Sequence, residues 1–141
     1  MSVETNIATV RAAIAAISAG DLPALSRTVT PDYERHDLGN TLTAGSSVEL
    51  MDLIASIRRA LPDFTFEIEK AIGSEDDHVS IIFRMRGTHQ GEFLGAPGSG
   101  RLVEIRGMGL YRLIDGRIRD NWQLLDTLGL MSQLGVTAAT V

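Results

Sequence analysis

The sequence predicts an α+β fold: a strongly curved antiparallel or mixed sheet wrapped around N-terminal helices to give a cone-shaped barrel. Three observations carry this. Apolar residues recur at helical spacing through the first 60 positions. From Phe64 onward the pattern switches to period-two alternation. An Asp115-Gly116 pair then marks a tight hairpin between the last two alternating runs. Helices first and hairpin-joined strands afterwards is an α+β order.

Each element follows from local signals. Val10, Ala13, Ile14 and Ile17 form one face of a helix over about Thr5 to Ala19, and Gly20 stops it. Asp21 caps a second short helix, with Pro23 in its first turn. Residues 30–40, TPDYERHDLGN, read as a polar loop. Ser46 and Glu49 have capping-box spacing and open a third helix, which Pro62 ends. Phe64, Phe66 and Ile68 define one strand, and Val79, Ile81, Phe83 and Met85 a second. The glycine-rich HQGEFLGAPGSG leads to a third strand at Leu102–Leu113, and a fourth runs from Ile118 to about Leu125. Leu128, Leu130, Met131 and Leu134 belong to a short last helix, and residues 136–141 to a frayed tail. Arg84, Arg86, Glu104 and Arg106 lie among the strands, so the convex side of the sheet must be solvated or paired.

Bulk properties narrow the function. With 141 residues, 44% apolar and 22% charged, the chain suits one folded domain over 1–141. A net charge of −5 argues against nucleic acid or an anionic membrane as partner. Cysteine is absent, which excludes disulfides and thiolate chemistry. The first twenty residues superficially resemble a signal peptide, but Glu4 and Arg11 interrupt them and no basic leader is present, so an amphipathic helix and a cytoplasmic location are expected.

A curved sheet closed by helices leaves one end of the cone open, a setting for a largely apolar cavity with a few converging polar groups. Ile118, Asp120, Trp122, Leu124 and Asp126 share one strand parity. If Trp122 faces inward, Asp126 can do so too, and an aspartate beside an indole would lose hydration and exchange protons near neutral pH. Asp-Thr-Leu-Gly is equally a natural helix entry, with Asp126 as its cap. Tyr33, Glu34, His36 and Asp37 can rim a cavity mouth, and His89 is flanked by glycines that permit close backbone approach. No local metal-ligand motif exists, and GAPGSG lacks the order of a phosphate loop.

These pieces together resemble the SnoaL-like polyketide cyclases, within the broader superfamily shaped like nuclear transport factor 2. The resemblance rests on His36-Asp37, LPDF at 61–64, GTHQGEFLGAPGSGR at 87–101, IDGRI at 114–118, Asn121-Trp122 and DTLGLMSQLG at 126–135. It implies a cavity enzyme without metal or organic cofactor, acting on a small apolar or aromatic carbonyl compound in antibiotic biosynthesis. Such an enzyme closes a ring by intramolecular aldol condensation, or runs a related isomerisation. It also implies a homodimer through the sheet. Matched to the family pattern, Asp126 becomes the proton carrier, with Gln123 the competing position. His89 and His36 become hydrogen-bonding partners of the enolate or carbonyl. Trp122, Tyr33, Asn121, Arg112 and Phe93 are then expected to contact substrate. Many relatives carry histidine before the tryptophan, where this chain has Asn121. Asparagine can donate a hydrogen bond but cannot exchange a proton at neutral pH. A binding protein without chemistry, and an epoxide hydrolase or cofactor-free hydroxylase built around Asp120, Arg112 and Asp126, are the other readings.

Overall fold

The structure is a computed structural model that describes residues 1–39 and 45–135. The expected tail at 136–141 and the end of the 30–40 stretch lie outside those residues. The order is α1 (Val3–Ala19), α2 (Leu22–Ser26), β1 (Val29–Asp37), α3 (Ser47–Ala60), β2 (Thr65–Gly73), β3 (His78–Thr88), β4 (Leu102–Ile114), β5 (Arg117–Leu125) and α4 (Thr127–Leu134).

The helix boundaries follow the capping chemistry. Ser2 accepts the Thr5 amide at the start of α1, and Gly20 closes it in the left-handed region at φ 72°. Asp21 caps α2. Ser46 and Glu49 form the expected capping box, satisfying two amides that would otherwise lack partners at the start of α3.

The sheet has five strands in the order β1-β5-β4-β3-β2. β2 to β5 form an antiparallel meander, and β1 runs parallel to β5 along the far edge. The polar loop expected at 30–40 is therefore corrected to a strand over 29–37. After Val29 its inward positions are Tyr33, Arg35 and Asp37 rather than aliphatic groups, so hydrophobic alternation does not reveal it. Between β4 and β5, Asp115 and Gly116 have φ of 50° and 78°, as a type I′ hairpin turn requires.

The concave face packs on α1 and α3. Val10, Ile14, Leu25, Ile54, Phe66, Val79, Ile81, Phe83 and Ile118 are buried there. Gly107 lets this face close tightly: a Cβ there would stand 2.6 Å from the Phe83 ring and 2.6 Å from the Leu124 carbonyl oxygen. The convex face carries the expected charge pairing, with Arg84 near Glu67 and Glu104, Arg86 near Glu104, and Arg106 on Glu69. Among the described residues no helix is long and apolar enough to cross a membrane.

Candidate functional site

A cavity of about 50 Å³ lies between the concave face of the sheet and the helices. Aliphatic side chains of α1 and α3, with Phe64, Phe66 and Met85, form most of its wall. The polar part comes from three adjacent strands: Tyr33 and Arg35 of β1, Asn121 and Gln123 of β5, and Tyr111 of β4. As it stands, this space of about 50 Å³ holds roughly three to five waters, given the ~10–15 Å³ each needs. A larger ligand requires the wall to move.

Which β5 side chains face the cavity is decided by one irregularity. Leu113 pairs with Ile118, and the next pair is Arg112 with Asp120, so Arg119 is an extra residue on β5. Such a bulge shifts the alternation. Ile118 faces inward before it, and Asn121, Gln123 and Leu125 face inward after it. The parity expected from the sequence is corrected accordingly. Trp122 and Leu124 lie on the convex face, where they line a shallow groove with Met108 and Leu110.

Asp126 is corrected with them. It is exposed, it is the N-cap of α4, and its Oδ1 accepts the Gly129 amide at 2.9 Å. No cavity carboxylate arises from that position.

β1 carries a buried carboxylate, Asp37, which pairs with the cavity-lining Arg35 and does not itself line the cavity. Asp37 follows Tyr33 and Arg35 on the same parity and pairs in register with Gln123. Its side chain is only 6% exposed and that of Arg35 only 3%, with Nη2 and Oδ2 3.4 Å apart. The second Asp37 oxygen, Oδ1, accepts the Gly39 amide at 2.9 Å. Burial pushes the phenols of Tyr33 and Tyr111 above the usual tyrosine range, against the opposing pull of the Arg35 charge. Both therefore stay protonated at neutral pH and can donate to an oxygen. Sequence reasoning placed Asp37 only at a cavity rim and did not select Arg35. The signal available was the every-second-residue placement of Tyr33, Arg35 and Asp37.

His36 and Arg112 are also moved out of the cavity. The His36 ring stacks on Trp122, with centroids 5.2 Å apart and planes 17° from parallel. Its Nε2 lies 3.1 Å from Asp120 Oδ1. Arg112 donates to the other oxygen of Asp120 through Nε at 2.8 Å, and Arg119 Nη1 reaches Oδ1 at 3.0 Å. Burial opposes ionisation of Asp120, but the His36 and Arg112 hydrogen bonds and the two arginine charges outweigh it, and its carboxyl sits below the usual range. Glu34, His36 and Asp120 bring three potential metal-ligand atoms within 4.8 Å. Two guanidiniums already neutralise Asp120, which makes the cluster a poor cation site.

His89 is fully buried and does not line the cavity. Its Nδ1 faces Ser99 Oγ at 3.1 Å, and its backbone joins Arg101 and Gly100. It thus ties together the two ends of the glycine-rich connection. Its Nε2 is buried without a hydrogen-bond partner. Of the remaining expected contacts, Tyr33 and Asn121 line the cavity, and Phe93 lines a second, apolar space of about 40 Å³.

Similarity to known proteins agrees with this architecture. No curated protein matches the chain. Among solved structures, AclR of Streptomyces galilaeus, a candidate hydroxylase, is 26% identical with a TM-score of 0.83, covering 95% of this chain and 98% of its own. IdmH of Streptomyces antibioticus, a candidate polyketide cyclase, is 28% identical with a TM-score of 0.81, covering 93% and 99%. TsrD of Streptomyces laurentii shares the fold at 22% identity and a TM-score of 0.84, covering 97% and 99%. The family model described as SnoaL-like polyketide cyclase matches residues 7–134. With a cone cavity walled by helices and a bent sheet, and a family match across nearly its whole length, the chain belongs to the SnoaL-like polyketide cyclase family.

Proposed function

We propose that the protein is an acid/base enzyme acting on a small apolar carbonyl compound held in the cone, as a polyketide cyclase or a related isomerase, without an organic cofactor. The observation that carries this reading is the buried Arg35–Asp37 pair, in which Arg35 lines the polar side of the cavity and Asp37 is its ion-pair partner.

In this reading the Asp37 carboxylate removes a proton from the carbon next to the substrate carbonyl. The C–H electron pair becomes the enolate double bond, and the charge moves to oxygen. Arg35, the neutral phenols of Tyr33 and Tyr111, and the Gln123 amide are donors for that oxygen, in a setting where fixed donors act strongly. In a cyclase the enolate carbon then forms a bond to a second carbonyl of the same molecule, and the proton held on Asp37 passes to the new alkoxide. In an isomerase it returns to a different carbon.

The experiment is deuterium exchange from solvent into the α-carbon of a bound 3-oxoester, followed by NMR. Asp37→Asn should keep the ester bound and slow exchange by at least about 100-fold. An unchanged rate would remove Asp37 from the chemistry. Binding without exchange in the natural protein would leave a carrier of such compounds rather than an enzyme. A hydroxylase reading is favoured only by the likeness to AclR.

The partner we propose for the convex face is a second copy of the chain. Leu38, Met108, Leu110 and Leu124 are exposed there beside Trp122, around a groove of about 450 Å³. The same face carries rows of Arg84, Arg86 and Arg106 against Glu67, Glu69 and Glu104. A two-fold axis through the sheet would set apolar groove on apolar groove and acid rows near basic rows.

A further inference from the structure

Among the described residues, a second chamber lies beside the first inside the cone. The first is the cavity with Tyr33, Arg35, Asn121 and Gln123 on its polar wall. The second, of about 40 Å³, lies toward α4 and is lined by Leu61, Gly87, Phe93, Val103, Ile105 and Leu130. Four residues, Ile57, Phe64, Met85 and Leu125, line both. The partition between the chambers is therefore one side chain thick, and all four of its members are apolar.

The two spaces differ in chemistry. Water in the first finds a guanidinium, two amides and phenols. Among the described residues, water in the second finds no comparable group, since the one charged residue of its lining, Arg86, is an exposed side chain that contributes its carbon stem. A water needs two to four polar partners to be stable in such a space, and an apolar cavity of this kind stays dry and takes up apolar groups. Met85 is the adaptable member of the partition: an unbranched thioether side chain changes rotamer at low cost and fills or vacates irregular gaps.

We propose that the chambers act as head and tail subsites for one amphipathic ligand. A carbonyl-bearing head sits against Arg35 and Gln123, and an unbranched alkyl or slim aryl tail passes Met85 into the second chamber. This deepens the reading given under Proposed function and rests on it. A compact ligand without a tail leaves the second chamber empty. A ligand without the oxygen sets carbon against the polar wall of Tyr33, Asn121 and Gln123, which is unfavourable for those groups.

The test is a calorimetric or NMR affinity series of methyl ketones from 2-butanone to 2-undecanone on the full chain. Affinity should rise roughly three- to fourfold per methylene once the tail passes the partition, and then level off. Met85→Ala should widen the passage and raise the ratio of long-tail to short-tail affinity. Leu130→Phe should fill the second chamber and lower that ratio at least tenfold. The two variants move the ratio in opposite directions, so a fold defect in one cannot imitate the result. Binding of short ketones with no dependence on tail length, or a ratio that Leu130→Phe leaves unchanged, overturns the tail subsite and leaves the head site standing. Absence of binding at every length overturns both.

Discussion

Arg35 and Asp37 stand two residues apart on β1 with their side chains on the same inward face, 3.4 Å from nitrogen to oxygen and almost fully buried. An ion pair in that position is a weak source of stability, because desolvation of two charges offsets most of their attraction. Removing one partner is another matter. Asp37→Ala removes one member of a buried ion pair and should cost about 3–5 kcal/mol in urea unfolding. The double change Arg35→Met with Asp37→Leu should recover much of that loss while removing α-proton exchange. If the double variant is as unstable as the single one, the pair stabilises the cone beyond its mutual charge compensation.

Asp126 gives a contrasting expectation. Its carboxylate accepts the Gly129 amide at the start of α4 and faces solvent. Asp126→Ala should lower stability by about 1 kcal/mol, and Asp126→Ser should restore most of it, as for an N-cap. Exchange activity should follow neither change. A hundredfold loss of exchange in a stably folded Asp126→Ser protein would return this residue to the chemistry.

The acid limb of stability should report Asp120. Its carboxyl is held below the usual range, burial opposing and the His36 and Arg112 hydrogen bonds and both arginine charges prevailing. A depressed carboxylate contributes stability above its unfolded pKa of about 3.9 and loses it as pH falls through the lower folded value. Unfolding free energy measured from pH 5 downward should therefore drop, and Asp120→Asn should show a shallower drop below about pH 4. Equal slopes would mean that other carboxylates govern acid lability.

The two arrangements around β5 explain what was legible in the sequence. Helix starts were visible because Ser46 with Glu49, and Asp21 before Pro23, are local codes. The Asp115-Gly116 hairpin was visible for the same reason. The inward set on β5 was not, since a single bulge residue, Arg119, exchanges the faces after Ile118 and is fixed by pairing with β4, not by β5 itself. A lone tryptophan among leucines, as at Trp122, carries the sequence signature of a core residue. In the fold it stacks on His36 at the convex face. β1 was hidden because its inward positions hold Tyr33, Arg35 and Asp37. Tyr33 and Arg35, which make the cavity polar, also erase the apolar alternation of a strand.

The convex groove yields the last prediction. Leu124 is half-exposed beside Trp122 and Met108, and its side chain points away from the cavity. A lysine there would place a charge in the middle of the apolar strip without touching the wall that holds the ligand. If two copies meet through this face, Leu124→Lys should shift sedimentation from dimer to monomer at micromolar concentration, because an unpaired charge buried in an interface costs several kcal/mol. Folding, followed by far-ultraviolet circular dichroism, should be retained. A natural protein that sediments as a monomer, or a Leu124→Lys variant that remains dimeric, would leave the groove without a second copy as its partner.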